Sequence, residues 1–232
     1  ETIGPSFFEA TTVLSLLYFA EARVDLAVVE VGLGGRLDAT NVLRPVVAVV
    51  TSVGLDHTDL LGDTLAAIAR EKAGIAKAGV PLLHAVADAE ARTAIEATAR
   101  EAGVRAEAIR DTCRVGEACI ETPSAIYARL GVGLPGAHQA WNAALAVRAS
   151  EIAVPDLAPD AVRDGLANVA ERSGLRGRGE EAAPGIRLDV AHNDDGWRAA
   201  LASAQPVSPG RLFALVGLMA DKDAGALARR LG

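Results

Sequence analysis

Aromatic side chains are scarce in this sequence, at 3% of residues, and cysteine is scarcer still, with two. With so few rings the core must rest on Ala, Val and Leu, and a platform of stacked aromatics for single-stranded nucleic acid is excluded. Cys113 and Cys119 match neither a zinc-knuckle spacing nor a C-x-x-C redox pair, so they read as two incidental or buried thiols of a reducing cytoplasm. Positive charge is also short. Lys and Arg number 23 against 30 Asp and Glu, a formal net charge of −7, and no basic cluster supplies the face that duplex binding needs. Long apolar runs are absent as well: the longest candidate, after Phe7, carries Glu9 near its start and Glu21 and Arg23 at its end. The first residues lack the charged head, apolar run and small-residue cleavage site of a signal peptide. These absences predict a soluble, cytoplasmic protein with no nucleic-acid or membrane partner.

What is present can form a scaffold. Half of the 232 residues are hydrophobic, enough for one large domain or one domain and part of a second. Short aliphatic runs alternate with longer helical patterns, the mark of βαβ units and a largely parallel α/β sheet. The expected strands are Leu26–Val31, Val46–Thr51, Pro81–Val86, Arg187–Val190 and Leu212–Gly217. One helix is expected after Asp63 or Thr64, running through Lys72 toward a glycine stop at Gly79, and another from Ala89 to Ala102 before Gly103. Residues 105–134 lose helical period and gain Gly and Pro, predicting short strands and turns, and a helix resumes near Gln139. The segment Gly174–Pro184 reads as a hinge, so a boundary is expected near Ser173, dividing 1–173 from 174–232.

The chemistry gathers after the first expected strand, which delivers Glu30 and the turn Gly32-Leu33-Gly34-Gly35 to the carboxyl edge of the sheet, where open α/β folds bind ligands. A dinucleotide fingerprint is the rival reading. Its third glycine would have to stand at Leu37, and the following Asp38, Ala39, Thr40 and Asn41 suit a polar loop better than a packed helix. The next strand leads to His57 at the same edge. A carboxylate and an imidazole with water sites remaining suit Mg²⁺ or Mn²⁺ held mainly by substrate phosphates, not a closed zinc cage. A single histidine taken alone more often caps or packs; its neighbours decide for the ligand.

The run Glu30-Val31-Gly32-Leu33-Gly34-Gly35-Arg36-Leu37-Asp38-Ala39-Thr40-Asn41 closely resembles the signature of folylpolyglutamate and dihydrofolate synthases, members of the Mur ligase superfamily. Further motifs agree in order: Gly54-Leu55-Asp56-His57, Leu61-Gly62-Asp63-Thr64, the stretch Ile68 to Ile75, Leu134 to Gln139 with Asn142-Ala143, Leu188 to Asn193, and Asp221-Lys222-Asp223. The resemblance implies a central ATP-binding domain followed by the start of a Rossmann-like domain.

It further implies that Glu30 and His57 hold the metal and that Lys72 is the family's carbamylated lysine. A buried lysine loses its proton more easily, which supplies the neutral amine that carbamylation needs. By the same resemblance Ser6, Phe7, Phe8 and Glu9, with Leu37, Asp38 and Ala39, contact a pterin, and Asn142, Arg178 and Asp189 contact ATP. Packing of Phe7 or Phe8 into the first helix's core is the plainer alternative for those rings. Where the family has proline after Ala-His-Asn this chain has Asp194 and then Asp195, two negative charges near the expected nucleotide cleft.

No G-x-x-x-x-G-K-[ST] phosphate loop occurs, although the family reaction depends on one. The chain therefore reads as an internal piece of a longer ligase, by itself unable to turn over ATP, with an exposed apolar sheet edge or face expected beside Glu30. The implied activity joins L-glutamate to dihydropteroate or a reduced folate at the expense of ATP, in a monomer. Another Mur-type amino-acid ligase and a non-catalytic module without a phosphate loop are the alternatives.

Overall fold

The computed structural model describes residues 4–204, 212–219 and 224–231. Three short strands, β1 (Ala48–Val50), β2 (Leu82–His84) and β3 (Ala106–Ala108), form a parallel sheet in the order β1-β2-β3, with Ala48 opposite Leu82 and Leu82 opposite Ala106. Their alternation sorts side chains to two faces, as a period of two demands. Ala48, Val50 and Leu82 face helices α3 (Leu65–Ala73) and α4 (Ala89–Glu101), where Ala69, Ala73, Ala91 and Ile95 are buried. Val49 and Leu83 face the opposite way, toward Ala144, Leu145 and Val147 of α6 (His138–Ala153). The result is three layers, helix on sheet on helix. Alanine-rich helices make this core close-packed despite its shortage of rings.

Helix termini follow local chemistry. Thr64 caps α3 through its hydroxyl, which accepts from the Ala67 amide at 3.1 Å, and Asp88 caps α4 in the same way. α4 stops before Gly103, whose φ is +74°. The expected extension of α3 to Gly79 does not occur. The helix stops at Gly74 because the chain around Arg36 crosses its end.

α1 (Phe7–Ala22) opens the described chain and α2 (Thr58–Leu61) is a single turn. After β3 come α5 (Ile109–Thr112) and an antiparallel sheet of β4 (Arg114–Val115), β5 (Cys119–Glu121) and β6 (Ile126–Ala128), as expected for that stretch. α7 (Pro159–Ala167) and α8 (Val169–Ser173) follow α6. The expected hinge is partly ordered: after Gly174 the chain forms a hairpin of β7 (Arg178–Ala183) and β8 (Ile186–Asp189), then α9 (Asp194–Ala204). α10 (Ala224–Leu231) ends the described residues.

Two expected strands join no sheet among the described residues. Leu212–Gly217 has no ladder partner among the described residues. Leu26–Val31 has none either, and its Val28 is 91% exposed. A strand is made by its neighbour's hydrogen bonds, and among the described residues no strand pairs with this one. Leu26 and Val29 of this stretch, and Leu14, Leu17 and Tyr18 of α1, are likewise exposed, but with no strand here this apolar surface is not the sheet edge expected beside Glu30. No helix among the described residues is long and apolar enough to cross a membrane.

Candidate functional site

The turn from Gly32 to Asn41 is held from inside by one carboxylate. Asp38 accepts from the Gly32 and Leu33 amides on one oxygen, both at 3.0 Å, and from the Thr40 amide at 2.9 Å and the Thr40 hydroxyl at 2.5 Å on the other. Burial pushes this carboxyl up, but the Thr40 hydroxyl and the amides of Leu33, Thr40 and Gly32 outweigh it and hold the group below the ordinary carboxylate range. The pterin contact expected of Asp38 thus falls on a side chain already engaged by its own loop.

From outside, the turn is seated on the end of α3. The Arg36 amide donates to the Glu71 carbonyl at 2.8 Å and its guanidinium grips the Glu71 carboxylate. The Asn41 amide group donates to the carbonyls of Arg36 and Gly74, while Lys77 donates to Asn41. The approach is so close that a Cβ on Gly35 would lie 2.8 Å from the Lys72 carbonyl oxygen, and one on Gly74 would lie 2.4 Å from the Arg36 Cβ. Glycine at both places is a steric requirement of the crossing.

α1 closes the other side. The Phe8 ring lies against Gly32, where a Cβ would come within 2.4 Å of it, and α1 packs on the 3-10 turn Ala39–Val42. The two segments expected to meet a pterin are therefore neighbours. Phe7 and Leu37 are exposed, and Phe8 is exposed less. Ser6 and Glu9 form a capping box: the Glu9 amide donates to the Ser6 hydroxyl at 3.2 Å and the Ser6 amide to the Glu9 carboxylate at 2.7 Å. The Ser6 amide, and then its hydroxyl, hold the Glu9 carboxyl below its usual value.

Glu30 is exposed, and no hydrogen bond or ion pair holds its carboxylate among the described residues. His57 stands before α2 in the left-handed region, φ 50° and ψ 40°, its side chain 42% exposed. Asp56 accepts from the amide of its neighbour His57 at 2.9 Å. Lys72, on the last turn of α3, is half-buried without an ion-pair partner among the described residues. No three His, Cys, Asp or Glu side chains among the described residues gather as a metal cage.

Of the residues expected at ATP, Asn142 lies on the first turns of α6, its side chain donating to Gln139 at 3.0 Å. Arg178 and Asp189 face each other as register partners in the β7-β8 hairpin, the Asp189 carboxylate accepting from the Gly179 and Ala191 amides. Arg176 is taken by Glu180, whereas Arg178 is exposed with no ion pair among the described residues. A groove of about 400 Å³ beside Arg178 is walled by Leu134, Pro135 and Glu180. The two extra aspartates carry no loose charge into the cleft: Arg230 pairs with Asp194 and Arg198 with Asp195. Asp221-Lys222-Asp223 lies outside the described residues.

Residues 2–150 match the family described as the Mur ligase middle domain. The chain belongs to the Mur ligase family. Among curated relatives, this Mur ligase chain is 35% identical over 98% of its length to a dihydrofolate synthase/folylpolyglutamate synthase of Bacillus subtilis, and 36% identical over 97% to one of Escherichia coli. It spans about half of them, 56% and 53% of their lengths. Among solved structures it superposes with a TM-score of 0.90 and 33% identity on an FPGS complex with AMPPCP and folate, covering 98% of this chain and 58% of that one. The TM-score is 0.84, again at 33% identity, on E. coli FolC in complex with DHPP and ADP, covering 97% and 54%. The α/β fold with its parallel sheet is therefore that of the Mur ligases.

One element of this Mur ligase site has no role that its sequence announces: Asp56 reaches the Ala191–Asn193 turn, 137 residues away for Asn193. Both motifs are visible in the sequence, but nothing in either names the other.

Proposed function

We propose that the protein to which this chain belongs is an ATP-dependent ligase that adds L-glutamate to dihydropteroate, to a reduced folate, or to both. The reading is carried by the Gly32–Asn41 turn: Glu30 leads into it, the Lys72 backbone lies under Gly35, and Phe8 covers Gly32. The likeness to FPGS solved with AMPPCP and folate and to E. coli FolC solved with DHPP and ADP, over nearly the whole chain, supports the same reading.

Divalent metal fits the donors here. Glu30 offers an uncommitted exposed carboxylate and His57 an exposed imidazole, and two such ligands suit Mg²⁺ or Mn²⁺ that keeps water and phosphate oxygens for its other positions. When bound, the ion neutralises phosphate charge as the γ-phosphoryl group moves. Lys72, if carbamylated, would supply a further carboxylate to support the metal and phosphate. The substrate carboxylate attacks the γ-phosphorus of ATP and ADP leaves; the glutamate amine then displaces phosphate from the acyl phosphate, forming the amide. No side-chain nucleophile is needed. The chain's residues bind and orient: Phe7, Phe8, Leu37 and Ala39 present apolar and backbone surface to a flat pterin, Asp38 shapes the turn, and Ser6 and Glu9 fix the start of α1. Asn142, Arg178 and Asp189 hold the nucleotide between a unit of residues 1–173 and one of 174–232. The enzyme works as a cytoplasmic monomer.

The test uses the full-length protein with ATP, Mg²⁺, L-glutamate and a panel of acids: dihydropteroate, tetrahydrofolate and a peptidoglycan precursor. The expected products are ADP and a glutamylated pterin, lost in E30A and H57A. Turnover confined to the peptidoglycan precursor, or absent with every acid, would overturn the proposal.

A further inference from the structure

Asp56 touches both His57 and the turn leading into α9. Its Oδ1 accepts from the His57 amide at 2.9 Å. Its Oδ2 accepts from the Asn193 side-chain amide at 3.0 Å and lies 3.4 Å from His192 Nε2. The Asp56 side chain is 24% exposed, so these contacts are partly shielded from water.

The far side of this contact is built to be rigid. The Asn193 carbonyl oxygen accepts from the Trp197 amide and its side-chain oxygen from the Gly196 amide, both at 2.9 Å, which makes Asn193 the cap of α9. Trp197 is buried and its indole donates to the Ala191 carbonyl at 3.1 Å, while His192 Nδ1 is 3.0 Å from the Val190 carbonyl. The side chains at the turn's tip are thus tied within the turn, to Asp56, or to both. Close packing continues next door: a Cβ on Gly54 would come 2.6 Å from the Asp195 carboxylate.

The near side is conformationally costly. His57 is a non-glycine residue in the left-handed region, a state that persists where surroundings hold it. The Asp56 carboxylate is one of those holds, and its other oxygen is anchored to a turn tied by its own hydrogen bonds. We propose that Asp56 is a positioning residue which couples docking of the Ala191–Trp197 turn to the orientation of His57. Seating that turn fixes the carboxylate, and the carboxylate fixes the backbone from which the imidazole projects. The role of His57 as a metal ligand rests on the function proposed above; the mechanical coupling does not.

Hydrogen exchange followed by mass spectrometry on the full-length protein, without nucleotide or metal, tests the coupling. N193A is expected to speed exchange across His57–Leu61, and D56N across Ala191–Trp197, each about tenfold. The exchanged pair D56N/N193D, which restores a donor facing an acceptor and keeps a cap on α9, is expected to recover protection in both. In parallel, Mn²⁺ binding read by electron paramagnetic resonance is expected to weaken about tenfold in N193A, as for removal of a partner that orients a ligand. Faster exchange only on the mutated residue's own side would overturn the proposal, whereas reciprocal exchange with Mn²⁺ binding unchanged in N193A would retain the coupling and reject His57 as a metal ligand. Reciprocal exchange in a protein inactive on every acid would instead retain the coupling and reject the ligase reading.

Discussion

Replacing Asp38 by asparagine changes one atom's chemistry and little else, so it isolates what the buried half of this carboxylate contributes. In D38N one side-chain oxygen can still accept from Thr40, but the new amide group would confront the Gly32 and Leu33 amides, donors facing a donor. Hydrogen bonds to a charged acceptor contribute about 1.5 to 3 kcal/mol each where water cannot replace them. The site is half-buried, so water recovers part of this, and the two lost bonds together come to about 2 kcal/mol. For a chain of this size that is a fall in Tm of about 4 to 8 °C. The sign with pH is fixed by the carboxyl's position below its ordinary range: it stabilises above the unfolded value and the contribution is lost as pH falls through the folded one. The gap between wild type and D38N is therefore widest near neutrality and narrows below about pH 4. Thermal unfolding by circular dichroism across pH 3 to 7 measures it. Equal melting at pH 7, or a gap that stays constant into acid, would refute the view that Asp38 is a structural acceptor.

Four other outcomes are expected. His84, fully buried at the end of β2, has both ring nitrogens unpartnered among the described residues; burial, then the Arg92 guanidinium, hold its pKa below the ordinary value against a weaker pull from Glu96 and Asp111. The unfolded chain thus binds the proton first, stability declines as pH falls through about 6.5, and H84V should both flatten that decline in urea titrations and gain about 1 kcal/mol. Arg148 joins Glu107 and Glu151, the latter only 6% exposed, so R148M should lower stability by about 3 kcal/mol in urea denaturation. Burial, and then Glu151, push the Tyr127 hydroxyl up to about 12; Y127F should remove the high-pH titration seen by ultraviolet absorbance near that value and cost about 1 kcal/mol. G35A and G74A should each cost about 2 kcal/mol by overpacking, and less than the sum when combined, because the first displacement opens the crossing that the second would strain.

Much of the scaffold was legible because its signals are local. Thr64 announces α3, Gly103 closes α4, and the aliphatic runs around Val49 and Leu83 need only a period of two to be placed. The failures are all places where a distant part of the chain decides. Gly74, not Gly79, ends α3 because Arg36 crosses there, and no helix rule contains Arg36. Leu26–Val31 is half valine, which strands prefer, and still forms no strand among the described residues, since pairing belongs to two segments. The site shows the same division. The motif from Glu30 to Asn41 could be read at once, but that Asp38 would turn inward on its own loop, and that Asp56 would reach Asn193, depends on backbone geometry a string of letters does not carry.

The crossing of Gly35 and Gly74 also bears on how sequences of this kind can change over time. Neither glycine has a part in binding substrate under the proposed mechanism, yet a side chain at either would drive the same two stretches of backbone apart. To natural selection the pair behaves as one locus split across 39 residues of chain. In a saturation-mutagenesis map both positions should reject every side chain, whatever its chemistry. A lineage that lost one glycine would be released from keeping the other.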